Sequence, residues 1–209
     1  MQWSEIVDEI KRTLKEPSDG GHWHDNELKR RANLIQTEIV RQTKCIIKTV
    51  DITVANGSFS VPADLIKICD VVCGDKRLYG TTVDQLDADF EMSPCVWREL
   101  EGDPKRYYQD FNVIKLFPQD SSVTTIKLRY FGLADDMVEY SDKPFNGVDW
   151  LQDGGQAIID GVVFRCLLED DDNRYQTYLA LYKEGIKNIK DKLMVDDKLE
   201  FFNLERVRR

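Results

Sequence analysis

Apolar residues recur at helical spacing through the first part of the chain. Trp3, Val7, Ile10 and Leu14 fall four, three and four residues apart, on one stripe of a helix predicted over about 4–16. Ser4 or the residue before it supplies the cap, and Glu5, Asp8 and Glu9 suit the positive end of the dipole. Pro17 and Gly20-Gly21 end the segment. A second stripe, Leu28, Ala32, Ile35 and Ile39, predicts a helix over about 25–44 with Asp25 at its N-cap. The two make a short-linked helix pair.

The period then changes from 3.6 to 2. Val50, Ile52 and Val54 alternate with Asp51 and Thr53, and beyond Asn56-Gly57, Phe59 and Val61 alternate with Ser58 and Ser60. Asn-Gly accepts the positive φ angles of a tight turn, so the pattern predicts a β hairpin, ended by Pro62. Further strands are predicted at 66–73, 77–81, 106–109, 113–117 and 124–131, with a short helix between Thr82 and Phe90. In the last strand Ile126, Leu128 and Tyr130 alternate with Lys127 and Arg129, as a sheet with one wet face requires. No predicted helix is long enough for a crossover, which implies antiparallel pairing.

From about Asp149 the helical period returns. Ile158, Val162 and Cys166 mark a helix over 150–169; after an acidic turn, Tyr175, Leu179, Tyr182, Ile186, Ile189 and Leu193 mark another over 173–195. Neither helix pair can bury its stripe alone. The expected class is α+β: a helical bundle from the N- and C-terminal pairs (1–45 and 149–196), an inserted, mainly antiparallel β region (46–148) and an extended C-terminal tail (197–209).

Composition narrows the class. With 209 residues, 42% hydrophobic and 32% charged, the chain is an ordinary globular one. Thirty-eight acids against 29 bases leave a net charge of -9, which disfavours coating nucleic acid but suits a channel through which a polyanion slides without sticking. No apolar run approaches a bilayer span, and Met1-Gln2-Trp3-Ser4-Glu5 lacks the regions of a signal peptide, so synthesis in the cytoplasm is expected. The five cysteines form no framework. Cys69 and Cys73 share a predicted strand face, yet no second pair or histidine completes a tetrahedral site, and buried, inert thiols are expected.

Candidate chemistry is sparse. His22 and His24 flank Trp23 ahead of Asp25, a donor set for a metal, but they sit in a Gly-led linker where Trp23 serves as a staple. Glu169-Asp170-Asp171-Asp172 could hold a divalent cation for phosphoryl chemistry, although consecutive side chains in a turn point apart. Gly154-Gly155 lacks the Lys-Ser/Thr of a phosphate loop, and Lys29-Arg30-Arg31 reads as a solvated helix face. No nucleophile elbow and no Cys–His pair occurs. No catalytic, cofactor-binding or metal residue is therefore predicted, and the chain is expected not to be an enzyme. Two other readings stand beside it: a metal-dependent phosphoester hydrolase, which needs 169–172 beside His22 or His24, and a cytoplasmic protein-binding module, which needs a groove.

The ordered motifs resemble a family. Trp23-His24-Asp25-Asn26-Glu27-Leu28, then Asn33, Gln36 and Glu38-Ile39, is similar to the Trp-x-Asp-x-Glu-Leu…Asn-x-x-Gln…Glu-Ile opening of tailed-phage head-to-tail adaptor (connector) proteins. Phe59-Ser60-Val61-Pro62-Ala63-Asp64-Leu65, Gly102-Asp103-Pro104 with Tyr107-Tyr108, Leu116-Phe117-Pro118, Leu128-Arg129-Tyr130 and the late helix pair with Arg165 follow in the same order. Residues 133–149 carry no motif of this kind. The resemblance implies a structural protein with no active site or cofactor. It also implies a homo-oligomeric ring, commonly a dodecamer, under the portal at the virion's head–tail junction. There it contacts portal and tail components, and DNA passes through without sequence-specific binding. Near the C-terminus, Phe201, Phe202, Leu204, Arg206, Arg208 and Arg209 put aromatic and basic residues on an acidic chain, the composition of a partner-binding anchor.

Overall fold

A computed structural model describes residues 1–17, 21–90, 96–148 and 154–207, and the side chains of these except at 96 and 194–207. Its elements run α1 (Trp3–Leu14), α2 (Asp25–Thr43), β1 (Ile47–Thr53), β2 (Ser58–Ser60), β3 (Leu65–Cys73), β4 (Lys76–Thr81), α3 (Val83–Asp89), β5 (Arg106–Asp110), β6 (Val113–Phe117), β7 (Thr125–Gly132), α4 (Gly154–Glu169) and α5 (Tyr175–Val207). They divide into two units, 1–46 with 133–209, and 47–132.

The helical unit is organised around α4. Ala157, Ile158, Ile159, Val162, Val163, Cys166 and Leu167 are all buried, so this helix is apolar on every side and not along a single stripe. α1, α2 and α5 pack on it. α1 contributes the fully buried Trp3, Ile6 and Ile10, and α2 contributes Leu28, Ala32, Ile35 and Ile39. Close approach depends on Gly161, where a Cβ would lie 2.7 Å from Ile35 Cγ2 of α2 and 3.1 Å from the Tyr182 ring of α5.

The β unit corrects the expected class. In place of an inserted, mainly antiparallel β region in a helical bundle, the described residues form five α-helices and a seven-stranded mixed sheet that nearly closes on itself, barrel-like. The strand order is β1-β7-β3-β4-β5-β6-β2. β4 and β5 run parallel, with Tyr79, Gly80 and Thr81 opposite Arg106, Tyr107 and Tyr108. Residues 82–105, carrying α3, provide the crossover that the sequence reading judged absent; a parallel pair needs only a dozen or so residues to cross. The expected hairpin is corrected as well. Asn56 (φ 50) and Gly57 (φ 67) make the tight turn, and Ala55 bridges Ser58, but β1 then ladders onto β7 from Ile47↔Phe131 to Thr53↔Thr125, while β2 ladders onto β6. The turn thus joins the two end strands of the sheet.

Val54, Phe59, Val71, Leu78, Ile114, Leu116, Ile126, Leu128 and Tyr130 fill the core of this unit. A second cluster, Leu86, Trp97, Tyr108 and Phe117, seats α3, with Trp97 edge-on to Tyr108 at 5.4 Å and donating its indole N–H to Asp87 Oδ1 at 2.7 Å.

Two boundaries differ from expectation. Residues 133–148 group with the helices and not with the sheet. The backbone from 197 is helical as far as Val207, where an extended tail was expected.

Replacing Gly161 with Val should lower stability by about 1–3 kcal/mol, the usual cost of overpacking a filled core. Thermal or urea unfolding will read this, and a neutral effect would show that α2 and α5 are not in close contact with α4.

Candidate functional site

Asn33 and Gln36 lie one turn apart on α2 and hold the segment that follows the sheet. Gln36 is fully buried; its NH₂ donates to the Asp135 carbonyl at 3.0 Å, and its side-chain oxygen accepts from the Phe145 N–H at 2.8 Å. Asn33 forms a reciprocal pair with Met137, donating to its carbonyl at 3.2 Å and accepting from its N–H at 3.0 Å. Phe145 is buried with a left-handed backbone (φ 54), a costly conformation for an aromatic residue that the Gln36 bond helps to fix. The segment also reaches α1, whose Trp3 and Ser4 N–H groups donate to the carbonyls of Asp142 and Tyr140.

Arg31 corrects the reading of Lys29-Arg30-Arg31 as a solvated face. It is buried, stacks on the Trp23 ring with its guanidinium carbon 4.4 Å from the centroid, and donates to both oxygens of Glu169 at 2.7 Å. Glu27 Oε1 accepts from its Nε and Nη2 at 3.0 and 2.9 Å. These bonds hold the carboxyls of Glu27 and Glu169 below the usual glutamate range. Lys29 is also engaged, donating to the Val138 carbonyl, and of the three only Arg30 is exposed.

The acidic turn is consumed by local structure. Glu169 faces Arg31, Asp172 accepts from Arg174 N–H at 2.9 Å and pairs its guanidinium at 2.7 Å, and Asp171 takes a left-handed turn position (φ 54). Asp170 does approach His22, with Oδ1 3.9 Å from Nε2, so the structure brings together one carboxylate and one histidine of the candidate set. His24 is the exposed N-cap of α2. Among the described residues no group of three or more His, Cys, Asp or Glu is placed to hold a metal. Gly154 and Gly155 are buried against Phe145 and Met1, with no room for a phosphate between them.

Cys45 and Cys166 are buried, and burial pushes the Cys166 thiol up to about 12. Cys69 and Cys73 are half-buried, not buried as expected. Cys95 lies outside the described residues. No helix among the described residues is long and apolar enough to cross a membrane. Of the six C-terminal candidates, Phe201, Phe202, Leu204 and Arg206 have a helical backbone and side chains outside the description; Arg208 and Arg209 lie outside it altogether.

Trp23, Glu27, Asn33 and Gln36, which make these contacts, belong to the opening motif. A model of the SU10 adaptor protein family matches residues 1–200. The chain belongs to that family. A search of curated proteins finds no match. The SU10 adaptors are a phage head-to-tail adaptor family, so this chain is a phage adaptor that associates with other head–tail components, and membership points to a structural role. In this adaptor the motif is architectural: Asp25 pairs with Lys11 at 2.5 Å, Glu27 with Arg31, and Asn33 and Gln36 clamp residues 135–145. The sequence reading put Arg31 on a solvated face and named Gln36 only within the motif, so the buried role of both was missed. Both were signalled by spacing, three after Leu28 and four after Ala32, on the buried stripe.

Arg31→Met should make stability less dependent on acid. Glu27 and Glu169 titrate below their unfolded values in the folded protein, so their contribution is complete above the ordinary glutamate range and is lost as pH falls through the folded values. Melting measured from about pH 7 to about pH 3 should show the gap between wild type and Arg31→Met narrowing with acid. A constant gap would show that the ion pairs contribute nothing.

Replacing His22 and His24 together with Ala should change stability by no more than about 0.5 kcal/mol, as for surface sites, and remove no stoichiometric metal. Zinc or manganese retained by the wild type and lost in the double variant, read by elemental analysis, would reinstate the metal reading.

Proposed function

We propose that this adaptor assembles as a homo-oligomeric ring, a dodecamer in the virion, beneath the portal, where it extends the DNA channel and joins head to tail. The observation that carries the reading is the family match over residues 1–200, which spans both units. The net charge of -9 supports it, since an acidic wall lets DNA pass without gripping it. Phe201, Phe202, Leu204 and Arg206 at the end of α5, with Arg208 and Arg209 after it in sequence, are the proposed anchor onto the portal. Aromatic and arginine residues supply most interface hot spots, and basic groups on an acidic protein steer it to an acidic partner.

The test mixes purified adaptor with portal and follows mass by light scattering and shape by negative-stain imaging. A ring capping the portal is expected; adaptor that stays monomeric both alone and with portal overturns the reading. Deleting 199–209 should leave unfolding within about 1 kcal/mol of wild type yet abolish docking. A truncated protein that unfolds, or that docks as well as the full chain, removes the anchor role.

A further inference from the structure

The long helix α5 presents two unlike flanks. At about 100° per residue, its buried line is Tyr182, Ile186 and Ile189. To one side of that line fall Leu181, Gly185 and Asn188; to the other fall Lys183, Lys187 and Lys190. The first side, with Ala157 and Asp160 of α4, forms a groove of about 310 Å³ whose rim carries Glu184. The groove exists because small residues meet there: a Cβ on Gly185 would lie 2.9 Å from that of Ala157. The second side is a shallower recess where the three lysines gather beside Gln42 of α2.

Asp160 makes this groove chemically unusual. It is 5% exposed, the one charged residue among the buried positions of α4, and Gln156 Nε2 donates to its Oδ1 at 3.0 Å. Burial pushes its carboxyl above the usual aspartate range, and a cation reaching the groove would favour its charged form. Glu184 adds an exposed carboxylate and Leu181, 42% exposed, adds apolar surface. Each flank holds one charge of the other sign, Lys192 in the groove and Asp191 in the recess, but the balance is acidic on one side and basic on the other.

We propose that the α4–α5 groove of one copy of this chain receives the lysine flank of α5 from a second copy. The contact is head-to-tail: two different surfaces meet, so a pair of copies keeps one free groove and one free lysine flank, and repetition closes a ring when the rotation permits. Charge complementarity selects this occupant, because the same helix that supplies the groove wall also carries the lysines that suit it. The inference rests on the ring reading above and names the surfaces that would build the ring.

Two variants of the full chain test it by sedimentation and light scattering, alone and with portal. Asn188→Trp fills the groove from an exposed position, and Lys183→Glu with Lys190→Glu reverses the lysine flank. Each should weaken self-association at least about tenfold. Mixed together, the two variants should form a one-to-one dimer that grows no further, since one retains the lysine flank and the other the groove. Leu181→Arg and Lys187→Glu replace either variant that fails to fold. Association unchanged from wild type in either variant, or a mixture that forms no dimer, overturns the interface. If rings still form on the portal with both variants, the interface falls and the ring reading stands; wild type that never associates removes both.

Discussion

Everything in the helical unit depends on α4 being buried from all sides. A helix with no polar face must be surrounded, and α1, α2 and α5 surround it. Gly161 sets how closely they come, trading helix propensity for contact with Ile35 and Tyr182. The one charged side chain buried along α4, Asp160, sits where the cover is incomplete, in the groove beside α5.

The positions of α1 and α2 were legible because each carried a periodic stripe: Trp3, Val7 and Ile10 in α1, Leu28, Ala32 and Ile35 in α2. Strand positions were equally plain, as in the alternation of Ile126, Leu128 and Tyr130 with Lys127 and Arg129. Pairing was not. Period two says which face of a strand is buried, never which strand lies beside it, and the Asn56-Gly57 turn specified a reversal without specifying a two-stranded ladder. The parallel β4–β5 pair turned on α3, a seven-residue helix too short to suggest a crossover by length alone.

Much of the candidate site was hidden for a different reason. Arg31 was read as solvated, and Asn33 and Gln36 only as motif residues, whereas all three hold neighbouring segments in place. The segment 133–148 has no periodicity because, apart from one 3-10 turn at Pro144–Gly147, its order comes from these side chains and not from a ladder. The acidic turn shows the same economy: its carboxylates diverge to Arg31, His22 and Arg174 and converge on nothing.

Ile47, at the start of the β unit, pairs with Phe131, one residue before the end of its last strand. The chain therefore leaves the helical unit and returns to it at adjacent points, and closing that gap with a short turn carries little loop entropy. A segment attached in this way is a cassette. It can be enlarged, exchanged or removed over evolutionary time while α2 and α4 keep their register, so helical scaffold and sheet are free to change at different rates.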